Sequence, residues 1–336
     1  MGQLLSLENV TLAVEKENST QAIVKHVSFS IDEGEIVALV GESGSGKSVT
    51  AQSIVGLNQE SINIDEGNIS FQDGELTSLQ ETEWNQIRGK DISFIFQDPL
   101  SSLNPTMKVG RQITEVILQH EKKSKKEAKA IAIELLGDLG IHEPEKRFEQ
   151  YPHQLSGGMR QRICLAIAFA CHPKIVIADE PTTALDVTIQ KQIMELLKER
   201  KVKQHTSILL ITHDLALVRE VADRVVVMYG GRVVEKGTIQ EVIESPQHPY
   251  TKSLLQAIPN MDDSEKVLHA IEGTTPSIET LNSFGCPFVN RCPVAMKECI
   301  HRFPQETSYS PEHISHCWKH IAEKNKGKSK EKVNAS

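Results

Sequence analysis

Two short groups of residues have the types and spacing to bind and cleave a phosphoanhydride. Gly41-Glu42-Ser43-Gly44-Ser45-Gly46-Lys47-Ser48 fits the pattern G-x(4)-G-K-[S/T]. Glycines in such a loop let the backbone wrap a phosphate with its N–H groups pointing inward, and the helix that follows adds partial positive charge. Lys47 reaches the β- and γ-phosphates of a nucleotide, and the Ser48 hydroxyl ligates Mg2+. Val49 opens the helical pattern after the loop and completes the candidate phosphate-binding set. In the second group, the apolar run Ile175-Val176-Ile177-Ala178 delivers Asp179 and Glu180 to the C-terminal end of a strand. Ligand sites of open α/β sheets lie at such ends. Asp179 suits the Mg2+ shell, and Glu180 suits a general base that polarises an attacking water.

A third group narrows the field. Leu155-Ser156-Gly157-Gly158-Met159-Arg160-Gln161-Arg162 resembles the signature motif of ABC-type ATPases. Ser156, Gly157 and Gly158 form a second anion-binding helix start. The resemblance implies a sandwich in which the signature of one subunit closes on ATP held by the phosphate loop of another. The remaining motifs follow in that family's order. Gln97 resembles the Q-loop glutamine, which senses the metal and the γ-phosphate and couples to a membrane partner. Ala184-Leu185-Asp186 resembles the D-loop, and His213 resembles the switch histidine that contacts the γ-phosphate. ATP and Mg2+ are thereby implied, with Ser48, Gln97 and Asp179 around the Mg2+. Lys47, Glu180 and His213 are the implied catalytic residues. The family usually places an adenine-stacking aromatic after the first strand. That position falls at about Val14, and no aromatic follows before Phe29. ATP over GTP therefore rests on the resemblance.

An α/β framework must position these residues. Leu4–Val14 and Ala22–Ile31 read as strands, with Asp32-Glu33-Gly34 as a turn. Ile36–Val40 is continuously apolar, as expected of a strand buried on both faces. Gly67–Phe71 and Ile92–Phe96 are further short strands. Residues 99–159 read as a helical insertion. Ser124 and Glu127 form a capping-box signature there, followed by Ala128, Ile131, Ala132, Leu135, Leu136 and Leu139 at helical spacing. A helix over Gly158–Cys171, strands at Lys174–Ala178 and Ser207–Thr212, and a helix near Ile189–Lys201 imply a mostly parallel sheet. Gly230-Gly231 between Arg224–Tyr229 and Arg232–Lys236 is a hairpin signal. The expected fold is α/β: a P-loop ABC-type ATPase core with an N-terminal antiparallel β subdomain, an inserted helical subdomain and a Cys-containing C-terminal extension. The expected domains are 1–245 for the ATPase, 246–318 for the extension and 319–336 for a lysine-rich disordered tail. Tail lysines such as Lys324 and Lys332 suit either plain solvation or contact with anionic lipid.

The extension carries its own chemistry. Cys286, Cys292, Cys299 and Cys317 give C-x(5)-C-x(6)-C-x(17)-C. Four thiolates suit tetrahedral Zn2+ or an iron–sulfur cluster, and this spacing does not choose between them. His301, His313, His316 and His320 keep a mixed Cys/His zinc site open. Gln247-His248-Pro249-Tyr250-Thr251-Lys252 resembles the start of the extension in oligopeptide and dipeptide importer ATPases. Phe96-Gln97-Asp98-Pro99, Ser102-Leu103-Asn104-Pro105 and Tyr151-Pro152-His153-Gln154 also look typical of that subgroup. The resemblance implies a [4Fe–4S] cluster in some members. Cys164 and Cys171, seven apart, read as small core residues on one helix face.

Composition excludes several classes. Lys plus Arg total 37 against 45 Asp plus Glu, for a formal net charge of −8 in 336 residues. No global basic field is present for nucleic acid. No run approaches the ~18–20 apolar residues of a membrane span, and no signal peptide is visible. The resemblance implies an ATPase subunit that energises a bacterial importer of oligopeptides or dipeptides. It would sit peripherally on the cytoplasmic face of the cell membrane. Its implied partners are two transmembrane permease subunits, a second homologous ATPase chain and an extracellular substrate-binding protein. A nickel or metal-chelate importer of the same subfamily is the alternative cargo. A soluble ABC ATPase acting on ribosomes or DNA is a third reading, opposed by the single cassette and the lack of sustained heptads.

Overall fold

The computed structural model describes residues 2–16, 19–183, 185–257, 271–275 and 284–321. Ala184 and the tail beyond residue 321 lie outside the described residues. Two sheets organise the chain. The smaller is antiparallel, with strands in the order Ser19–Asp32, Gln3–Lys16, Ile62–Phe71, Gly74–Glu75. In Ser19–Asp32 the buried residues Val27, Phe29 and Ile31 alternate with less buried Ser28 and Ser30, the pattern of a sheet covered on one face. The strand read as Gly67–Phe71 begins earlier, at Ile62. Its polar run Asp65-Glu66-Gly67 hides it from pattern reading, and pairing with Gln3–Lys16 holds it in place. A register shift there falls at Asn9, whose φ is 51°. A Cβ on the facing Gly67 would lie 2.4 Å from the Glu8 carbonyl oxygen, so only glycine permits this close approach.

Among the described residues the larger sheet has eight strands. Ile92–Ile95, Ile175–Asp179, Ser207–Thr212, Ile36–Val40 and Arg224–Tyr229 run parallel in that spatial order. Arg232–Thr238 then turns back across Gly230-Gly231, both with positive φ, as a two-residue hairpin requires. Every residue of Ile36–Val40, Ile175–Asp179 and Ser207–Thr212 is buried. Alternation sends them to two cores. Ile36, Ala38, Val40, Val176 and Ala178 face the helical side with Ile113, Ile117, Leu136 and Ile163. Val37, Leu39, Ile175 and Ile177 face the small sheet and the helix Lys47–Ile54. Each fully buried Val, Leu or Ile contributes about 1.5–3 kcal/mol.

Between the strands Ile92–Ile95 and Ile175–Asp179 the chain is helical: Pro99–Ser102, Val109–His120, Lys125–Asp138, Pro144–Phe148 and Gly157–Phe169. The capping box forms, with the Ser124 N–H donating to Glu127 Oε2 at 2.7 Å and Ser124 Oγ accepting from the Glu127 N–H. Gly157–Phe169 ends before Cys171, so Cys164 and Cys171 do not share one helix. His172 adopts a left-handed φ of 49° just beyond, and the Cys171 thiol instead donates to the Val116 carbonyl. Past residue 245 the chain rejoins the larger sheet. Ile314–Ser315 pairs with Arg232–Thr238, and Thr307–Ser308 forms the edge. No helix among the described residues is long and apolar enough to cross a membrane.

Candidate active site

Three parallel strands end at one place. Ile36–Val40 runs into the phosphate loop, Ile175–Asp179 into Glu180, and Ser207–Thr212 into His213. Lys47 starts its helix from the loop and is 5% exposed. Its Nζ donates to the Gly41 carbonyl at 2.8 Å and the Glu42 carbonyl at 2.9 Å. Burial pulls its pKa below the free-lysine value, while Glu180, Asp179 and Glu42 pull it back up. The ammonium is thus held by carbonyls of its own loop. Val49 packs against the apolar cluster beneath the helix.

Asp179 is buried, and its Oδ1 accepts from the Ser48 hydroxyl at 3.0 Å. That pairing brings together the two side chains that best suit Mg2+. Burial pushes the Asp179 pKa up; the Ser48 bond opposes it and the Glu180 charge reinforces it. Holding this charge in the fold is costly, and a cation would offset the cost. Asp179→Asn should therefore raise the thermal midpoint in Mg2+-free buffer while lowering Mg2+-dependent ATP hydrolysis by about 10²–10³-fold. A variant less stable than wild type in that buffer would refute the assignment of Asp179 as a strained cation ligand.

Glu180 is the hub. Its φ is 45°, a left-handed conformation rare outside glycine and characteristic of functional sites. Its N–H bonds the Ile211 carbonyl of the neighbouring strand at 2.9 Å, which fixes the turn. Oε2 accepts from Gln97 Nε2 at 2.9 Å and from the Thr183 hydroxyl at 2.9 Å. Oε1 lies 3.2 Å from His213 Nδ1. The Glu180 side chain is 16% exposed and that of His213 is 64% exposed. The structure therefore joins three residues the sequence had named in separate segments. Gln97 follows a strand that ends at Ile95, not Phe96, and its amide engages Glu180. Thr183 was missed; its position three residues after Glu180 was the available signal.

The signature residues are placed elsewhere. Ser156 and Gly157 are exposed. Ser156 Oγ accepts from the Met159 N–H at 3.3 Å and caps Gly157–Phe169. A Cβ on Gly158 would lie 3.2 Å from Ile189. Asp186 is exposed and caps Val187–Gln204 through the Ile189 N–H at 3.0 Å. Val14 is half-buried in the small sheet, paired with Gln21 and Ile62.

The cysteines converge. Cys286, Cys292, Cys299 and Cys317 line one cavity, with His248, Pro304 and Trp318. The Cys286 N–H donates to the Cys299 carbonyl at 2.8 Å. Burial pushes the Cys286 thiol up to about 12 and raises Cys292 and Cys317 as well, with neighbouring thiols adding to each. The four named histidines do not line this cavity. His313 Nε2 bonds Glu235 Oε1 at 2.8 Å, His316 Nδ1 meets the Pro304 carbonyl, and His320 Nε2 meets the Gln247 carbonyl. Among the described residues no group of three or more His, Cys, Asp or Glu stands ready to hold a metal ion.

A parallel sheet, a phosphate loop, a carboxylate hub at the strand ends and the Ser156-capped signature helix define the class: an ABC-type ATPase. The family described as "ABC transporter" matches residues 24–183, and that described as "Oligopeptide/dipeptide transporter, C-terminal region" matches residues 234–299. The dipeptide transport ATP-binding protein DppD of Bacillus subtilis is 49% identical over 319 residues, 95% of each chain. The oligopeptide transport ATP-binding protein AppD of that organism is 50% identical over 300 residues, 89% of this chain and 91% of its own. A solved ATP-binding cassette dimer in a post-hydrolysis state with ADP and phosphate superposes with a TM-score of 0.64 at 29% identity. It covers 70% of this chain and 99% of its own. The chain belongs to the ATP-binding proteins of the oligopeptide/dipeptide ABC transporter family.

Proposed function

We propose that this chain hydrolyses ATP to energise a bacterial importer of oligopeptides or dipeptides. The observation that carries the reading is the Glu180 carboxylate held at once by Gln97, Thr183 and His213. Relatives named for dipeptide and oligopeptide transport support the cargo class. ATP with Mg2+ is the substrate. Lys47 offsets charge on the transferring phosphoryl group, and Ser48 and Asp179 face the cation. Glu180 takes a proton from water as the water oxygen bonds the γ-phosphorus; the bond to the bridging oxygen breaks, releasing ADP and phosphate. His213 holds the γ-phosphate. Ser156 and Gly157 are exposed, and with Gly158 they are free to close on ATP held by another ATPase chain, with Asp186 at the same seam. Gln97 joins the base to the helices after Pro99, which would meet the permease subunits. We divide the chain at about residue 245 into an ATPase domain with its helical insertion and a cysteine-bearing extension. It would work peripherally at the cytoplasmic face, with two permeases, a second homologous ATPase and an extracellular binding protein.

The four cysteines suit a [4Fe–4S] cluster, which takes one thiolate per iron. A zinc ion held tetrahedrally by the same four thiolates is the alternative. A bound cluster would supply a crosslink within the extension. Iron and zinc content of protein purified without oxygen checks this: four irons per chain are expected, and one zinc would overturn it.

Uptake of labelled short peptides and of nickel, in cells carrying wild type or Glu180→Gln, tests the function. Loss of peptide uptake alone is expected. Loss of nickel uptake alone would replace the cargo, and unchanged uptake of both would reject transport.

A further inference from the structure

The phosphate loop is tied to the cysteine-bearing extension by a partly buried ion pair. Glu42 belongs to the phosphate loop, yet its carboxylate points to the extension. Arg291 Nη1 donates to Glu42 Oε2 at 2.7 Å, and the Thr275 hydroxyl donates to the same oxygen. The two side chains are 7% and 21% exposed, respectively. The rest of the guanidinium is also engaged. Nη1 reaches the Tyr229 hydroxyl at 3.0 Å, Nε the Glu272 carbonyl at 2.9 Å, and Nη2 the Ile271 carbonyl at 3.1 Å. A fork held on all its nitrogens has little freedom to follow the loop, so the loop must conform to it. Beneath it, Tyr229, Tyr250 and Phe288 form a buried aromatic cluster with centroids 4.6–5.4 Å apart. The Tyr250 hydroxyl accepts from the Glu42 backbone N–H at 2.9 Å.

Glu42 is thus gripped at its N–H and its carboxylate by residues from beyond Arg232–Thr238. Its remaining backbone group, the carbonyl, is one of the two that hold Lys47 Nζ. The path from extension to phosphate-binding ammonium is Arg291, Glu42, Lys47, each step a direct hydrogen bond.

We propose that Arg291 is a positioning residue for the phosphate loop, acting through Glu42 to place Lys47. It makes no contact with the reacting atoms itself. Because Arg291 immediately precedes Cys292, the extension sets the geometry in which ATP is bound. This rests on the ATPase reading above.

The test is a double-mutant cycle in the assembled transporter, with Arg291→Gln, Glu42→Gln and both together. KM for ATP, kcat and the thermal midpoint are measured for each. Each single variant should raise KM about tenfold with a smaller change in kcat. The double variant should match either single within about twofold, because both remove one interaction. Arg291→Lys keeps the charge and loses the fork, so it should fall between wild type and Arg291→Gln; it also serves if Arg291→Gln does not fold. An unchanged KM, or effects that multiply in the double variant, would overturn the proposal, whatever the thermal midpoints show. Full turnover by Glu180→Gln in the same preparation would instead overturn the ATPase assignment, so the two failures are separable.

Discussion

Glu180→Gln lowers steady-state ATP hydrolysis by about 10²–10⁴-fold, the usual contribution of a general base, and leaves ATP bound. The amide is isosteric with the carboxylate but does not take up the proton of the attacking water. The groups that hold the phosphates are untouched: Lys47 keeps its loop carbonyls and Ser48 keeps Asp179. On the proposed function ATP then favours the closed dimer, and the hydrolysis that would remove that stabilisation is missing. Phosphate release and size-exclusion chromatography in ATP with Mg2+ check both halves. Turnover within twofold of wild type would remove Glu180 from the mechanism. Thr183→Ala offers a graded companion, because it deletes one of the hydroxyl and amide donors on Glu180 Oε2 and leaves the carboxylate in place.

The largest stability effect is expected far from the nucleotide motifs. Glu235 is fully buried in Arg232–Thr238. Its carboxylate accepts from the backbone N–H groups of Gln247 at 2.6 Å and His248 at 2.8 Å, and from His313 Nε2 at 2.8 Å. One side chain therefore anchors the chain as it leaves the ATPase sheet and again as it returns through Ile314–Ser315. Glu235→Ala leaves three donors without a partner in a dry site. Each buried donor left unsatisfied costs about 1–3 kcal/mol. Glu235→Gln retains an acceptor oxygen and should cost less. Urea unfolding should show the loss as a lower midpoint, and limited proteolysis should cut the chain beyond residue 245. A midpoint unchanged in Glu235→Ala would mean that the aromatic cluster alone docks the extension.

Different parts of the molecule were legible to different degrees. The phosphate loop was readable because its chemistry is contiguous: eight neighbouring residues between an apolar strand and a helix. The parallel core was readable from three uninterrupted apolar runs, since a strand buried on both faces shows no alternation. Ile62–Phe71 was only half visible, because a polar stretch looks like a loop until a partner strand supplies its hydrogen bonds. Glu235 gave no signal at all: a charged residue in a hairpin strand reads as solvent-facing, and only its three buried partners show otherwise. The histidines near the cysteines drew attention by type, yet the histidine lining that cavity is His248, from the other end of the extension.

By itself, then, the sequence determined the elements and the chemistry carried within each short segment, because backbone propensity, apolar period and motif spacing act over a few residues. Tertiary structure alone decided which segments meet. Gln97 and Glu180 are 83 positions apart, Glu235 and His313 are 78 apart, and Glu42 and Arg291 are 249 apart. Apolar patterning tells which residues leave water but is blind to what they face afterwards. Polar groups buried in the process must find partners at whatever distance the packing of the two sheets and the helical layer imposes. For this chain that packing joins Gln97 and His213 to Glu180, and the phosphate loop to the cysteine-bearing extension.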